Sequence, residues 1–145
     1  MELSCKCRYA VLALLSLVDH YPQGEPMQIR QIAAQQHIPD RYLEQLLAIL
    51  RRAGLVCSQR GARGGYLLAR EPWQITLLEI MNCIEGRDPQ PGNGAQADLT
   101  AERAVVDEIW QEADQAASTV LKNCTLQDLC DRRDTKKQID LMYYI

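Results

Sequence analysis

The chain has 145 residues, of which 47% are hydrophobic and 24% charged, as in an ordinary globular protein with one core and an appended element. No apolar run reaches the length of a membrane span and the N-terminus lacks a signal-peptide layout, so we expect a cytoplasmic protein with no membrane partner. The net charge of −3 is unevenly distributed: residues 41–70 carry net +5 and residues 71–145 net −7. Because polyanion binding depends on the local field, this balance does not exclude nucleic acid as a partner.

The first 40 residues predict two helices that face a common core. Residues 4–21 show apolar positions at helical spacing, with Ser4 as a plausible N-cap and Pro22 just beyond the end. Residues 28–37 predict a shorter helix with three inward apolar side chains, Ile29, Ile32 and Ala33. A tight turn at 37–40 follows.

Residues 41–53 predict a third helix, with Asp40 as its N-cap and Gly54 as its stop. One face is a leucine stripe: Leu43, Leu46, Leu47 and Leu50. The opposite face carries long polar residues and one small residue: Arg41, Glu44, Gln45, Ala48 and Arg52. A helix that is apolar on one side and polar on the other is suited to entering a DNA major groove.

Residues 55–69 predict a β-hairpin with a basic tip. Two apolar segments flank the tip, where Arg60 and Arg63 lie on either side of Gly61, and Gly64 and Gly65 follow. Arginine at such a tip is suited to phosphate or to a narrow groove, because its guanidinium is a rigid and permanently charged donor. A solvated surface hairpin is the alternative for an isolated Arg-Gly turn. Because this hairpin directly follows the third helix, we favour a role in DNA binding.

The C-terminal half predicts a helix, a loop and a dimerisation element. Residues 76–79 match a capping box and predict the start of a helix that ends at Gly86. The composition of residues 87–98 predicts a flexible loop. Residues 99–122 form the longest predicted helix, whose apolar face we expect to pack on a second copy: Leu99, Val106, Ile109, Trp110, Ala113, Ala117, Val120 and Leu121. A short helix beginning near Thr125 and Asp128 ends the chain, with residues 131–140 frayed.

These motifs resemble the Rrf-type family of bacterial winged-helix transcription regulators. The resemblance covers essentially the whole chain and rests on Lys6-x-Arg8-Tyr9-Ala10, on Tyr42-Leu43-Glu44-Gln45-Leu46 and on Arg60-Gly61-x-x-Gly64-Gly65-Tyr66-Leu67-Leu68. The fold expected is mainly α with a small β-hairpin: a winged helix-turn-helix domain over residues 1–86, then the loop, then a long dimerisation helix and short tail within residues 99–145.

The resemblance implies a homodimer that binds a palindromic operator in double-stranded DNA. The recognition helix would enter the major groove and the wing, residues 60–65, the minor groove. Carried over by motif, the contacts are Tyr42, Glu44, Gln45 and Arg60; we add Arg41, Arg52 and Arg63 from position and charge. Tyr42 is as suitable for packing against the protein as for contacting a phosphate. Glu44 could be an ordinary exposed helix residue, or it could accept a hydrogen bond from a cytosine amino group in the groove.

The cysteines are the main departure from the cluster-binding members of this family. Those members carry three closely spaced cysteines before the long helix, whereas residues 87–97 contain no cysteine and no histidine. We therefore predict no cofactor. The alternative is a redox or iron–sulfur site built from Cys5 and Cys7 with Cys83 or Cys124, because Cys5 and Cys7 lie near a helix N-terminus beside cationic residues. Cys57 and Cys83 are expected to be buried packing residues.

No catalytic constellation or phosphate-cradling loop is visible, so the sequence does not predict an enzyme. A protein-interaction module that uses the same hairpin on a protein partner is the other alternative. The concentration of arginine in residues 41–70 of an otherwise acidic chain favours DNA over this partner.

Overall fold

The protein is described by a computed structural model that covers residues 4–86 and 100–143. Within these ranges it contains six α-helices and a two-stranded antiparallel hairpin, which confirms the mainly α prediction. The elements in chain order are α1 Cys5–Val18, α2 Ile29–Gln36, α3 Asp40–Arg52, β1 Val56–Gln59, β2 Gly65–Leu68, α4 Leu77–Glu85, α5 Ala101–Lys122 and α6 Leu126–Tyr143, with 3₁₀ turns at Tyr21–Gln23 and Pro72–Gln74. None of these helices is long and apolar enough to cross a membrane.

Helix α1 lies at the centre of the domain and packs against α2, α3, α4 and α6. Its N-cap is Ser4, as predicted, whose hydroxyl accepts from the backbone N–H of Cys7 at 3.3 Å. The helix ends at Val18, three residues earlier than expected, and the Tyr21–Gln23 turn closes on Gly24 in the left-handed conformation. Its inward face is fully covered by a single core cluster, which includes Leu14, Leu17, Ile32, Leu43, Leu47, Leu50, Ile80 and Leu126.

The C-terminal helices are joined to the domain through backbone hydrogen bonds. The N–H of Leu77 donates to the carbonyl of Cys124 at 2.9 Å, and the N–H of Leu126 donates to the carbonyl of Ile75 at 3.0 Å. The start of α6 is therefore held directly beside the start of α4. Thr76 caps α4 by accepting from the N–H of Glu79 at 3.2 Å, whereas the Glu79 side chain pairs with an arginine instead of completing the predicted capping box.

The last helix is longer than predicted. Thr125 and Asp128 begin it with reciprocal side-chain to backbone bonds, as expected, but α6 continues through residues 131–140, which the sequence suggested would fray. A long-range contact accompanies this extension: the guanidinium of Arg133 donates to both carboxylate oxygens of Asp19 at 3.1 and 2.9 Å. This bidentate pair fixes the middle of α6 against the end of α1.

Candidate nucleic-acid interface

The polar face of α3 is exposed to solvent because the opposite face packs against the core. The four leucines of the predicted stripe, from Leu43 to Leu50, are each at most 2% exposed. The opposite side chains, Arg41, Glu44, Gln45 and Arg52, are all exposed. Asp40 in the first turn and the arginines in the last turn place negative and positive charge at the helix ends that each stabilises.

A three-residue turn connects α2 to α3. His37 takes a left-handed conformation with φ of 55°, and the N–H of Ile38 returns to the carbonyl of Ala33 at 3.1 Å, while the Ile38 side chain is buried. The N-cap position of α3 is Pro39, not Asp40 as predicted, and Asp40 is the first helical residue. The proline's fixed φ suits the entry to a helix, so Asp40 acts through its charge and not through a capping bond.

The wing is the β1–β2 hairpin, and a third segment braces it. Val56 pairs with Leu68 and Gln59 with Gly65 in antiparallel register, and Arg60 and Arg63 lie exposed at the tip. Met27 forms a bridge to Tyr66, its N–H donating at 3.0 Å and its carbonyl accepting at 2.8 Å. The base of the wing is therefore bonded to the segment just before α2.

Two glycines permit this close packing. A Cβ on Gly65 would lie 2.3 Å from the carbonyl oxygen of Met27, and a Cβ on Gly64 would lie 2.3 Å from the carbonyl oxygen of Gln59. Both contacts are with backbone atoms that cannot move aside without disrupting the hairpin. The Gly-Gly pair is thus a steric requirement of the wing as well as a source of conformational freedom.

Tyr42 packs and remains half-exposed. Its ring meets that of Tyr9 edge-on, with centroids 5.5 Å apart and an interplanar angle of 84°. Partial burial, with smaller contributions from Cys5, Tyr9 and Cys7, raises the pKa of the Tyr42 hydroxyl, which therefore stays protonated at neutral pH. The packing alternative of the sequence analysis is observed, and a protonated hydroxyl keeps the ability to donate to a phosphate.

Five of the six arginines in residues 41–70 are exposed on α3 or the wing. The exception is Arg70, whose guanidinium pairs with Glu79 and donates to the carbonyl of Gln74 at 2.8 Å. One of the five, Arg51, was not among the predicted DNA contacts, and it donates to the Ser58 hydroxyl at 3.3 Å. In the sequence Arg51 belongs to a further motif of the family resemblance, Leu50-Arg51-x-x-Gly54-Leu55-Val56, but that motif assigns it no role.

Comparison with known proteins identifies the family. The Rrf2 model, described as an iron-dependent transcriptional regulator, matches residues 3–132. The HTH-type transcriptional regulator slr0846 of Synechocystis sp. is 42% identical over 130 residues, covering 89% of this chain and 87% of that protein. CymR of Bacillus subtilis, also an HTH-type transcriptional regulator, is 35% identical over 143 residues, covering 99% of each.

The solved structure of T. potens IscR superposes with a TM-score of 0.77 at 36% identity, covering 92% of this chain and 88% of that one. This chain belongs to the Rrf2 family. Its relatives are transcription regulators, so it is a winged-helix DNA-binding regulator and not an enzyme.

The longest helix of this Rrf2 protein exposes its apolar face. The predicted dimer residues Val106, Ile109, Trp110 and Val120 are between 51% and 67% exposed, Ala113 is exposed and Ala117 half-buried. Val105, which the sequence analysis did not include, is 56% exposed. Leu99 and the predicted loop at 87–98 lie outside the described residues. Residues of α1, α4 and α6 with Leu121 also line an apolar groove of 380 Å³.

The cysteines do not assemble into a cluster-binding set within one chain of this Rrf2 protein. Cys5 is exposed, whereas Cys7 is 4% exposed with its Sγ 3.4 Å from a carboxylate oxygen of Glu85, to which Ser4 donates at 2.6 Å. Two residues apart on a helix, Cys5 and Cys7 point in different directions and cannot form a disulfide while α1 is intact.

The other two candidate ligands are engaged elsewhere. The Cys83 thiol is half-buried and donates to the carbonyl of Ile49 at 3.8 Å; burial, then the charge of Glu79, raises its pKa and keeps it protonated. Cys124 is buried, its Sγ 3.9 Å from the Thr125 carbonyl. Among residues 4–86 and 100–143 no group of three or more His, Cys, Asp or Glu side chains could hold a metal ion. These thiols do not fit a cluster held by one chain; a site shared by two chains stays a prediction.

Cys57 is exposed, so its predicted burial is wrong. Val56 is the one buried residue of β1, because the core covers only one face of the hairpin. The next side chain, Cys57, points to the opposite face, which is exposed to solvent.

Proposed function

We propose that this Rrf2 protein acts as a homodimer that recognises a palindromic operator. In each protomer α3 enters the major groove and the tip of the wing, residues 60–65, reaches into the adjacent minor groove. The observation that carries the proposal is the exposure of the polar side of α3 and of the wing, with five arginines exposed on these two elements and a hydrogen bond from Arg51 to Ser58 between them. A regulator bound to an operator that overlaps a promoter would act as a repressor.

The exposed face of α5 supports the dimer. Five large apolar side chains of α5 lie more than half exposed, which is unfavourable in a monomer and typical of a surface that a partner covers. We infer that a second copy of the chain covers this face, because a two-fold axis packs the apolar face of one α5 helix against the same face of the other. Two linked recognition helices then read two half-sites, about 34–36 Å apart or a multiple of that distance.

Placing a charged side chain on the apolar face of α5 tests the dimer. Trp110→Glu should give a folded monomer, since the side chain is 67% exposed within one chain but would be unpaired and desolvated between two. Trp73→Glu is the matched control, because Trp73 is 61% exposed and lies outside α5. Sedimentation should show a monomer for the first variant and a dimer for the second. A dimer that persists in the Trp110 variant would place the interface elsewhere.

Selection from a random pool of duplexes tests recognition. The parent protein should enrich a palindrome, and the monomeric Trp110 variant should bind this palindrome far more weakly. If the parent enriched no sequence and did not retard duplex DNA, the hairpin would be assigned to a protein partner instead.

A further inference from the structure

The junction between α3 and the wing carries a hydrogen-bonded pair of exposed residues. Arg51 lies in the last turn of α3 and Ser58 in β1, and Nη1 of the arginine donates to the serine Oγ at 3.3 Å. Both residues are exposed, so the pair adds little to the core. Its location suggests a different use.

The proposed docking places a DNA backbone across this junction. Major and minor grooves are separated by one sugar–phosphate strand, so a protein with a helix in one groove and a wing in the next must straddle that strand. The strand then crosses between the end of α3 and β1, where Arg51 and Ser58 lie. This step rests on the proposed function.

We propose that Arg51 and Ser58 form a clamp for one DNA phosphate. The guanidinium of Arg51 donates one of its five N–H groups to Ser58 and has no carboxylate partner among the described residues. Arg70, in contrast, pairs with Glu79. Because the serine oxygen accepts from the arginine, its own O–H proton is directed elsewhere and can donate outward. The two side chains thereby present several donors to an anion.

The backbone fixes both members of the clamp before DNA arrives. The carbonyl of Arg51 accepts from the N–H of Gly54 at 3.0 Å, which ends α3 at a defined point. Ser58 is paired across the hairpin with Tyr66, and Tyr66 is bridged to Met27. A pre-organised pair loses less conformational entropy when it binds the phosphate.

Salt titrations of DNA binding test the clamp, because a phosphate contact contributes about 0.9 to the slope of log K against log salt. Arg51→Gln should lower this slope by about 1 per protomer, hence about 2 for a dimer, on operator and random-sequence duplexes alike. At about 0.15 M salt the same relation gives roughly 5-fold weaker binding per protomer, or about 30-fold per dimer. Arg132→Gln on α6 is the control and should change neither quantity.

Two further variants separate a phosphate contact from a brace that only holds the wing. Ser58→Ala should weaken binding by about 2- to 10-fold per protomer, the range of one hydrogen bond, and much less in the Arg51→Gln background. Arg51→Lys should retain most of the salt slope, because the charge is kept, yet lose the coupling to Ser58.

An unchanged slope in Arg51→Gln would overturn the clamp while leaving the proposed function standing, and so would weaker binding confined to the operator. A fall in melting temperature without a change in slope would make the pair a structural brace. Failure of the parent protein to bind any duplex would refute the proposed function and the clamp together.

Discussion

Replacing Gly65 by alanine should damage the wing, although it adds only one methyl group. The new Cβ would lie 2.3 Å from the carbonyl oxygen of Met27, 2.5 Å from its carbonyl carbon and 3.0 Å from the backbone nitrogen of Gln28. All three are backbone atoms, so relief requires the wing and the segment before α2 to separate. That movement breaks the two hydrogen bonds between Met27 and Tyr66.

The size of the effect follows from these contacts. Overpacking against a fixed backbone costs about 1–3 kcal/mol, and each lost backbone hydrogen bond costs about 0.5–1.5 kcal/mol. Because some of the strain is relieved when the bonds break, we expect the free energy of unfolding to fall by about 2–4 kcal/mol. For a chain of this size that corresponds to a fall of roughly 6–15 °C in melting temperature.

Thermal unfolding followed by circular dichroism measures this change. Gly24→Ala is the matched control: its φ is 65°, but no heavy atom outside its two chain neighbours lies within 4 Å of the added Cβ. It should lose only about 1 kcal/mol, the cost of a left-handed alanine. If Gly65→Ala were no less stable than Gly24→Ala, the close approach of the wing to Met27 would be refuted.

Three further variants probe the interface. Arg60→Ala should weaken operator binding by about 1–3 kcal/mol without changing the melting temperature, since the side chain is exposed at the wing tip; equal affinity in a salt-matched titration would reject the contact. Glu44→Ala should alter the sequences enriched from a random pool and leave non-specific affinity unreduced; an identical consensus would remove Glu44 as a specificity residue. His37→Val should lower the free energy of unfolding by about 1–2 kcal/mol and His37→Asn should not, because a β-branched residue disfavours the left-handed conformation observed there. Equal urea midpoints for the two His37 variants would contradict this reasoning.

Local patterns in the sequence predicted the elements that depend on local interactions. The leucine spacing in residues 43–50 predicts which face of α3 is buried, and the apolar segments on either side of the glycine-rich tip predict the hairpin. The polar residues at 41, 44, 45 and 52 are exposed as a direct consequence. Whether they contact DNA stays a prediction.

The misses arise from contacts between distant parts of the chain. The middle of α6 contacts the end of α1 through a salt bridge between Arg133 and Asp19, 114 residues apart, whose pairing no periodicity encodes. The exposure of Cys57 depends on which face of a two-stranded hairpin the core covers. Arg51 was overlooked because its partner, Ser58, lies on another element.

The most direct test of the proposed homodimer is a base-modification interference map on the palindrome that the parent protein enriches. A dimer that binds through α3 and the wing should give two symmetric clusters of major-groove contacts one helical turn or a multiple apart, each flanked by minor-groove protection that disappears in Arg60→Ala. A single asymmetric cluster, or minor-groove protection that is unchanged without Arg60, would contradict the dimer and the wing assignment.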